Sequence, residues 1–471
     1  MNPERPQCQL KTTVEFKPHM LRVINFLRNN HGLIVVHGTG SGKTLTAIGA
    51  SQCLLDAFPD KQVVVITPTS LEENFKKEMR KYGLVETDPR FTFRTYGQLL
   101  QYKKNADNAE QFCADKILIC DEAHNLKTAI VKSAKDPKGR LASVMLSCAK
   151  KAFRVILLTA TPIVNSKMDI ANLLAMVNGT DPVPRSEFDR ILLDGSQLRA
   201  YLGNKTSFYS RDAIDPNYPR THQKEIFLTM DDEFYKAYHK IEQGEFKEMA
   251  ASQLIKTEDV FAFLSGVRRA MNVAVMDNSP KIEWVTELIK KGYDGKTPGK
   301  TLIYSTWKQA GKDLIVRKLQ AAGIQFTEVH GSLSKKQRDE AVRTYNTNPQ
   351  CQVMLITKAG GEGLDLKNTK FVVLLDPSWN NANEQQVIGR AARFKSHEGP
   401  DREVYIYRLY LKKPEMGWFS GVRKWNDKLA SADMLMFDFV NKKTEELNRF
   451  LSIVRSFSIE MLDQRAVDAF P

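Results

Sequence analysis

Twice along the chain, short runs of β-branched and other apolar residues alternate with amphipathic segments. The first series holds LIVVH (33–37), QVVVITP (62–68), FTFRTY (91–96), KILICDEAH (116–124) and RVILLTATP (154–162). The second holds KTLIYST (300–306), IQFTEVHG (324–331), QVMLITKAG (352–360), KFVVLLDPS (370–378) and REVYIYRLY (402–410). Near-continuous apolar strands of this length suit a parallel sheet covered on both faces; a sheet with one wet face would alternate apolar and polar residues. Helical spacing fills the gaps, as in 44–56, 308–322 and 335–346. The expected fold class is α/β, with two doubly wound parallel-sheet lobes.

The strand grammar fails between about Asp181 and Pro280. There DDEFYKAYHKIEQGEFKEMA and VFAFLSGVRRAMNVAV show helical spacing, bordered by loop-like DPVPR, DPNYP and DGKTPGK. The chain is therefore expected to divide into an N-terminal extension (1–15), a first lobe (16–180), a helical insertion (181–280), a second lobe (281–412) and a helical C-terminal tail (413–471). The tail segment ADMLMFDFVNKKTEELNRFLSIVRSF is expected to pack on the second lobe, with a docking surface for a partner as the alternative. Trp418 and Trp425, in GWFSGVRKW, are expected to be core residues.

With 471 residues, the chain has room for two or three domains. Its 69 Lys and Arg exceed 55 Asp and Glu by 14, and the excess is spread along the sequence. A broad positive surface of this kind suits a polyanion such as nucleic acid. The six cysteines form no C-x-x-C pair and have no His at ligand spacing. They read as reduced core residues of a soluble intracellular protein, with no metal cluster. The opening MNPERPQCQL lacks an apolar signal core, and no apolar run approaches ~20 residues, so neither secretion nor membrane spanning is expected.

The most specific stretch is GLIVVHGTGSGKTLTAIGA (32–50), a strand, a Gly-rich turn and a helix start. Gly38, Thr39, Gly40, Ser41 and Gly42 form a turn whose backbone N–H groups can surround phosphate oxygens at the positive end of the next helix. Lys43 is placed to reach the β- and γ-phosphates, and the Thr44 hydroxyl to ligate Mg²⁺. His37 stands where the G-x-x-x-x-G-K-[ST] pattern has its first glycine. In ILICDEAH, Asp121 would hold Mg²⁺ through its water shell and Glu122 would polarise the attacking water. In EQQVIGRAARFKSH, Arg390 and Arg393 share one helix face with Gln386 a turn earlier, a set suited to developing γ-phosphate charge.

Taken in order, HGTGSGKT, DEAH, LLTATP, KAGGEGLDL and QVIGRAAR resemble the helicase superfamily 2 motor over roughly residues 16–410. TPTSLEENF, DEAHNLKT, TATPIVNS and LDPSWNNANEQQVIGRAAR look like the Swi2/Snf2-like versions of these motifs. The HGTGSGKTL form and SADMLMFDF are similar to the nucleoside triphosphate phosphohydrolase I group of large DNA viruses. This resemblance implies two RecA-like lobes, ATP with Mg²⁺, and lobe closure over one nucleotide. It assigns Gly363 and Asp365 to the nucleotide side, His124, Thr159 and Thr161 to coupling, and Thr67, Thr69, Thr95, Ser305, Thr357 and Lys358 to nucleic-acid backbone. Phosphate contacts of that kind grip without reading sequence.

Met20, in FKPHMLRVINFL, stands where the family often places an adenine-reading glutamine. A thioether cannot make the paired hydrogen bonds of an amide, so ATP is expected as the nucleotide without strict adenine selectivity. The leading expectation is a double-stranded-DNA translocase acting on a transcription complex, in host cytoplasm or virion. The alternatives are a strand-separating DNA or RNA helicase and a non-catalytic nucleic-acid scaffold. The intact Lys43, Asp121, Glu122, Arg390 and Arg393 weigh against the scaffold.

Overall fold

The computed structural model describes residues 8–38, 40–69, 71–99, 111–126, 137–164, 166–209, 217–251, 266–275, 279–357, 364–376, 378, 381–393, 395–399, 402–414 and 430–461. Each apolar series forms its own sheet. In the first, β1 (Gly32–His37), β2 (Val63–Thr67), β3 (Phe91–Thr95), β4 (Ile117–Cys120), β5 (Arg154–Thr159) and β6 (Thr206–Tyr209) lie in the order β3-β2-β4-β5-β1-β6. All neighbours are parallel. In the second sheet, β7 (Arg220–Thr229), β8 (Thr301–Ser305), β9 (Phe326–Val329), β10 (Val353–Thr357), β11 (Phe371–Leu374) and β12 (Glu403–Lys412) run β7-β12-β11-β8-β10-β9, again all parallel.

The central strands are apolar along nearly their whole length because both faces are covered. Ile34 and Val36 enter one core with Leu118, Val155 and Leu157, while Leu33 and Val35 enter the opposite core with Ile117, Ile119, Ile156 and Leu158. The same period-two partition recurs in the second sheet, where Leu302, Met354 and Val372 face one way and Ile303, Val353 and Val373 the other. Each such side chain, fully buried, contributes about 1.5–3 kcal/mol. These two cores per sheet are what hold the motif loops at the strand ends.

Two compact units result: residues 1–212 with 445–471, and residues 213–444. This division corrects the expected insertion at 181–280. The helices Arg185–Leu193 and Gly195–Leu202 belong to the first unit, and β6 and β7 are strands within the supposed insertion. β7, with the sequence RTHQKEIFLT, is an edge strand paired along its length with β12 and mostly exposed. A solvated edge carries no apolar run, so the pattern that reveals central strands passes over it.

The tail also departs from expectation. The helix Ala432–Ser456 begins in the second unit, where Ala432 and Met436 are buried, and its later part belongs to the first. There Phe450 and Val454 join the core of Leu173 and Phe188. Trp418 and Trp425 lie outside the described residues.

Four of the six cysteines, read as reduced, are paired in the structure. Cys8 joins Cys53 and Cys113 joins Cys148, with Cα atoms 5.6 and 5.1 Å apart, while Cys120 and Cys351 are free and buried. Both pairings join residues well separated in sequence, which no local spacing reveals. Among the described residues, no helix is long and apolar enough to cross a membrane.

Candidate nucleotide site

The strand order β4-β5-β1 places three motif-bearing strands side by side, and parallel pairing puts their C-terminal ends on one edge. Gly38 follows β1, Asp121 follows β4 and Thr159 ends β5, so motifs distant in sequence meet at that edge. The Gly-rich turn depends on left-handed backbone at Gly40 (φ 80°) and Gly42 (φ 82°), which glycine adopts without steric cost. The helix Lys43–Ala57 then begins at Lys43, directing its unpaired first N–H groups toward the loop.

Lys43 Nζ donates to the carbonyl oxygens of His37 (2.8 Å) and Gly38 (3.2 Å). Ser41 Oγ donates to Gly38 O at 2.6 Å. Burial pushes the Asp121 carboxyl upward, as does the Glu122 charge, against the opposing influence of Lys43 and His124. A divalent cation beside Asp121 would offset that penalty, and Thr44 supplies a second hard oxygen. The residues present therefore fit Mg²⁺.

Glu122 sits at φ 51°, a left-handed conformation uncommon outside glycine, and its N–H donates to Asp121 Oδ1 at 3.0 Å. His124 Nδ1 lies 3.2 Å from Glu122 Oε2 and 3.5 Å from Thr159 Oγ1. Thr159 Oγ1 in turn accepts from the Thr161 N–H at 3.0 Å. Glu122, His124, Thr159 and Thr161 thus form one polar chain running from the end of β4 to the loop after β5. The sequence shows these as two separate motifs; their contact follows from β4 lying beside β5.

In the second unit, the helix Asn381–Ala391 carries Gln386, half-buried, and Arg390, largely buried. Arg393 follows it and donates through Nη1 to Leu364 O at 2.9 Å, while Leu366 N donates to Arg390 O at 3.3 Å. Both arginines thereby meet the segment that carries Asp365, whose carboxylate lies 3.5 Å from Lys367 Nζ. Thr39, Gly363 and Lys358 fall outside the described residues.

The hydroxyls assigned to nucleic-acid backbone differ in setting. Thr69 is exposed, and Thr95 is half-buried, its hydroxyl accepting from Gln98 N at 3.2 Å. Thr67 and Thr357 end strands and are buried. Ser305 is 2% exposed and its hydroxyl donates to Asp376 at 2.7 Å, inside the second unit. That donor is already engaged, so a phosphate contact from Ser305 would require the bond to Asp376 to open.

Three residues near the loop carried no functional signal in the sequence. His19 stacks on Tyr209 at 3.6 Å between ring centroids, and its Nε2 lies 3.1 Å from Ser41 O. Ser207 Oγ lies 2.9 Å from His37 Nε2. Each comes from an element that is remote in sequence, so only folding reveals the contact.

Two family models match: "Helicase conserved C-terminal domain" over residues 280–395 and "Type III restriction enzyme, res subunit" over 6–164. A protein of Acanthamoeba polyphaga mimivirus named "Putative ATP-dependent RNA helicase L538" is 31% identical over 478 residues, covering 95% of this chain and 98% of that protein. The chain belongs to helicase superfamily 2. This helicase is also similar to the "Termination factor NPH-I homolog" of African swine fever virus, at 22% identity over 92% of this chain and 76% of that one. Among solved structures, the Sulfolobus solfataricus SWI2/SNF2 ATPase core in complex with dsDNA aligns at 19% identity with a TM-score of 0.36, over 86% of this chain and 90% of that one. A likeness that low adds nothing to the argument. As a superfamily 2 helicase, the protein is a nucleic-acid-dependent ATPase related to the viral NPH-I proteins.

Proposed function

We propose that this helicase is an ATP-driven translocase on double-stranded DNA that acts in viral transcription. Lys43 and the loop amides would bind the triphosphate, Thr44 and Asp121 would hold Mg²⁺, and Glu122 would orient and deprotonate the attacking water. Arg390 and Arg393, with Gln386, would meet the γ-phosphate as its charge develops. His124, Thr159 and Thr161 would carry the nucleotide's state onward. Bound Mg²⁺ would neutralise phosphate charge there.

The observation that carries the reading is the meeting of Lys43, Asp121, Glu122 and the His124–Thr159 contact on one sheet edge. The double-strand assignment is supported by the Swi2/Snf2-like wording of DEAHNLKT and LDPSWNNANEQQVIGRAAR. The transcription role is supported by the name of the African swine fever virus relative. A second reading, RNA unwinding, is favoured by the name of the mimivirus relative.

ATPase rates with blunt duplex DNA, single-stranded DNA and RNA at matched salt separate the two, because backbone affinity falls steeply with ionic strength. Strong stimulation by duplex DNA without strand displacement supports translocation. Stimulation by RNA alone, with displacement of an annealed strand, overturns it. Glu122→Gln should bind ATP and lose turnover by about a hundredfold or more; unchanged turnover would remove Glu122 from the mechanism.

A further inference from the structure

The end of the tail is built into the nucleotide-binding unit. Phe457 O accepts from Asn204 N and Ile459 N donates to Thr206 O, both at 2.9 Å, so the tail runs along β6. β6 is the outermost strand and pairs with β1, whose last residue is His37. Glu460 Oε2 accepts from Phe208 N at 2.9 Å, and Glu460 Oε1 accepts from Ser207 Oγ at 2.5 Å. Because Ser207 has a single proton and gives it to Glu460, its contact with His37 must run the other way: His37 Nε2–H donates to Ser207 Oγ at 2.9 Å. A one-directional chain therefore runs from the imidazole through the hydroxyl to the carboxylate, and it fixes the tautomer of His37.

His37 is fully buried, and its own carbonyl accepts from Lys43 Nζ at 2.8 Å. The next residue is held from the same strand, with Gly38 N donating to Tyr209 O at 3.0 Å. His37 thus occupies the base of the phosphate loop, and β6 with the tail sets its position. From this geometry we infer that Glu460 is a positioning residue for ATP binding, acting through Ser207 and His37 to hold the base of the phosphate loop. The tail is then part of the ATPase site rather than an appendage. His37 is the adapter that lets a C-terminal residue reach a loop whose family pattern has glycine at this point.

This inference rests on the assignment of Gly38–Thr44 as the phosphate loop, and the experiment keeps the two apart. Lys43→Ala tests the loop itself and should abolish turnover; retained turnover would refute the loop assignment, whatever Glu460 does. Steady-state ATPase at saturating nucleic acid is then compared for wild type, Glu460→Ala, Ser207→Ala, His37→Gly and the double variant His37→Gly with Glu460→Ala. A thermal melt of each confirms folding.

Glu460→Ala and Ser207→Ala should each raise KM for ATP by about three- to tenfold while kcat changes less than twofold, a binding defect. Glu460→Gln keeps one acceptor oxygen, enough for Ser207 or for the Phe208 N–H but not for both, and should recover only part of the loss. In the His37→Gly background the route is cut, so Glu460→Ala should change KM less than 1.5-fold. An equal effect in both backgrounds would show that Glu460 merely pins the tail and would overturn the proposal. So would an unchanged KM in both single variants. If Glu460→Ala does not fold, the same cycle between Ser207 and His37 decides with the same outcomes.

Discussion

His37 offers a titration that separates its buried, neutral state from every other acid-sensitive feature of the chain. Burial lowers its pKa from 6.5 to about 3, with smaller contributions from His19 and Lys43. Below pH 6.5 the unfolded chain binds a proton there and the folded chain does not, so the stability His37 contributes is complete above 6.5 and lost as pH falls toward 3. For one group with these two values, the loss between pH 6 and pH 5 is about 1.2 kcal/mol, rising to about 1.4 kcal/mol for each further unit until the folded state begins to protonate.

The perturbation is His37→Gln, which keeps a donor for Ser207 and removes the titration. The assay is hydrogen exchange at the β1 amides of Leu33–Val36 at both pH values, reporting opening of the first unit. Wild type should lose about 1.2 kcal/mol more protection than the variant between those pH values. Other groups, including His31, whose pKa burial also lowers, titrate in both proteins and cancel to first order. All five tryptophans lie between residues 284 and 425, in the second unit, so their fluorescence should report the same acid response in both proteins. An equal loss of β1 protection in wild type and variant would show that His37 is protonated in the folded chain, and the tautomer argument would fall with it.

Lys281, 0% exposed, pairs with Asp433 at 2.6 Å and donates to Leu375 O at 3.0 Å. Lys281→Met should cost about 3–5 kcal/mol in the second unit by leaving a buried carboxylate, read by tryptophan fluorescence in urea. Adding Asp433→Asn should return part of that, because Asn still accepts from Leu411 N; no recovery would refute the buried-charge explanation. Gly42→Ala places a Cβ 3.1 Å from Met20 Cε and forces Ala to φ 82°. The backbone conformation costs about 1–2 kcal/mol, so KM for ATP should rise about tenfold, and Met20→Ala should not rescue it; rescue would assign the cost to the thioether instead. Met20→Gln places an amide where the resemblance puts the adenine reader; if that alignment holds, the ATP-over-GTP ratio of kcat/KM should rise by about tenfold, and an unchanged ratio refutes it.

What the sequence made legible follows from what burial on both faces demands. β1, β2, β4 and β5 had to be apolar along their interiors, and their motif ends had to fall on one edge once the strands were parallel; the loop, the DEAH acids and the Thr159 turn followed from that. β7 escaped because RTHQKEIFLT packs one edge and faces water along most of its length. The reach of the tail escaped for a different reason. The helix Ala432–Ser456 is amphipathic throughout, and periodicity tells which face is buried but not against which unit. The Lys281–Asp433 and Cys113–Cys148 pairs join segments far apart in the chain, so only the fold reveals them.

The departure at His37 shows how a pattern position can be free in backbone and committed in side chain. Gly40 and Gly42 have positive φ and cannot be exchanged without strain; His37 lies in the extended strand β1, where any residue adopts the backbone conformation. The loop therefore requires only the His37 carbonyl, which Lys43 uses, and leaves the side chain available for another task. A histidine in that buried place must stay neutral and needs a partner for its N–H. Ser207 supplies the acceptor, and Glu460, by taking the Ser207 proton, keeps that proton from pointing at His37. Three residues separated by most of the chain thus become mutually dependent. Replacing His37 by the glycine of the family pattern would preserve the loop's backbone and remove the reason for Ser207 and Glu460 to face it.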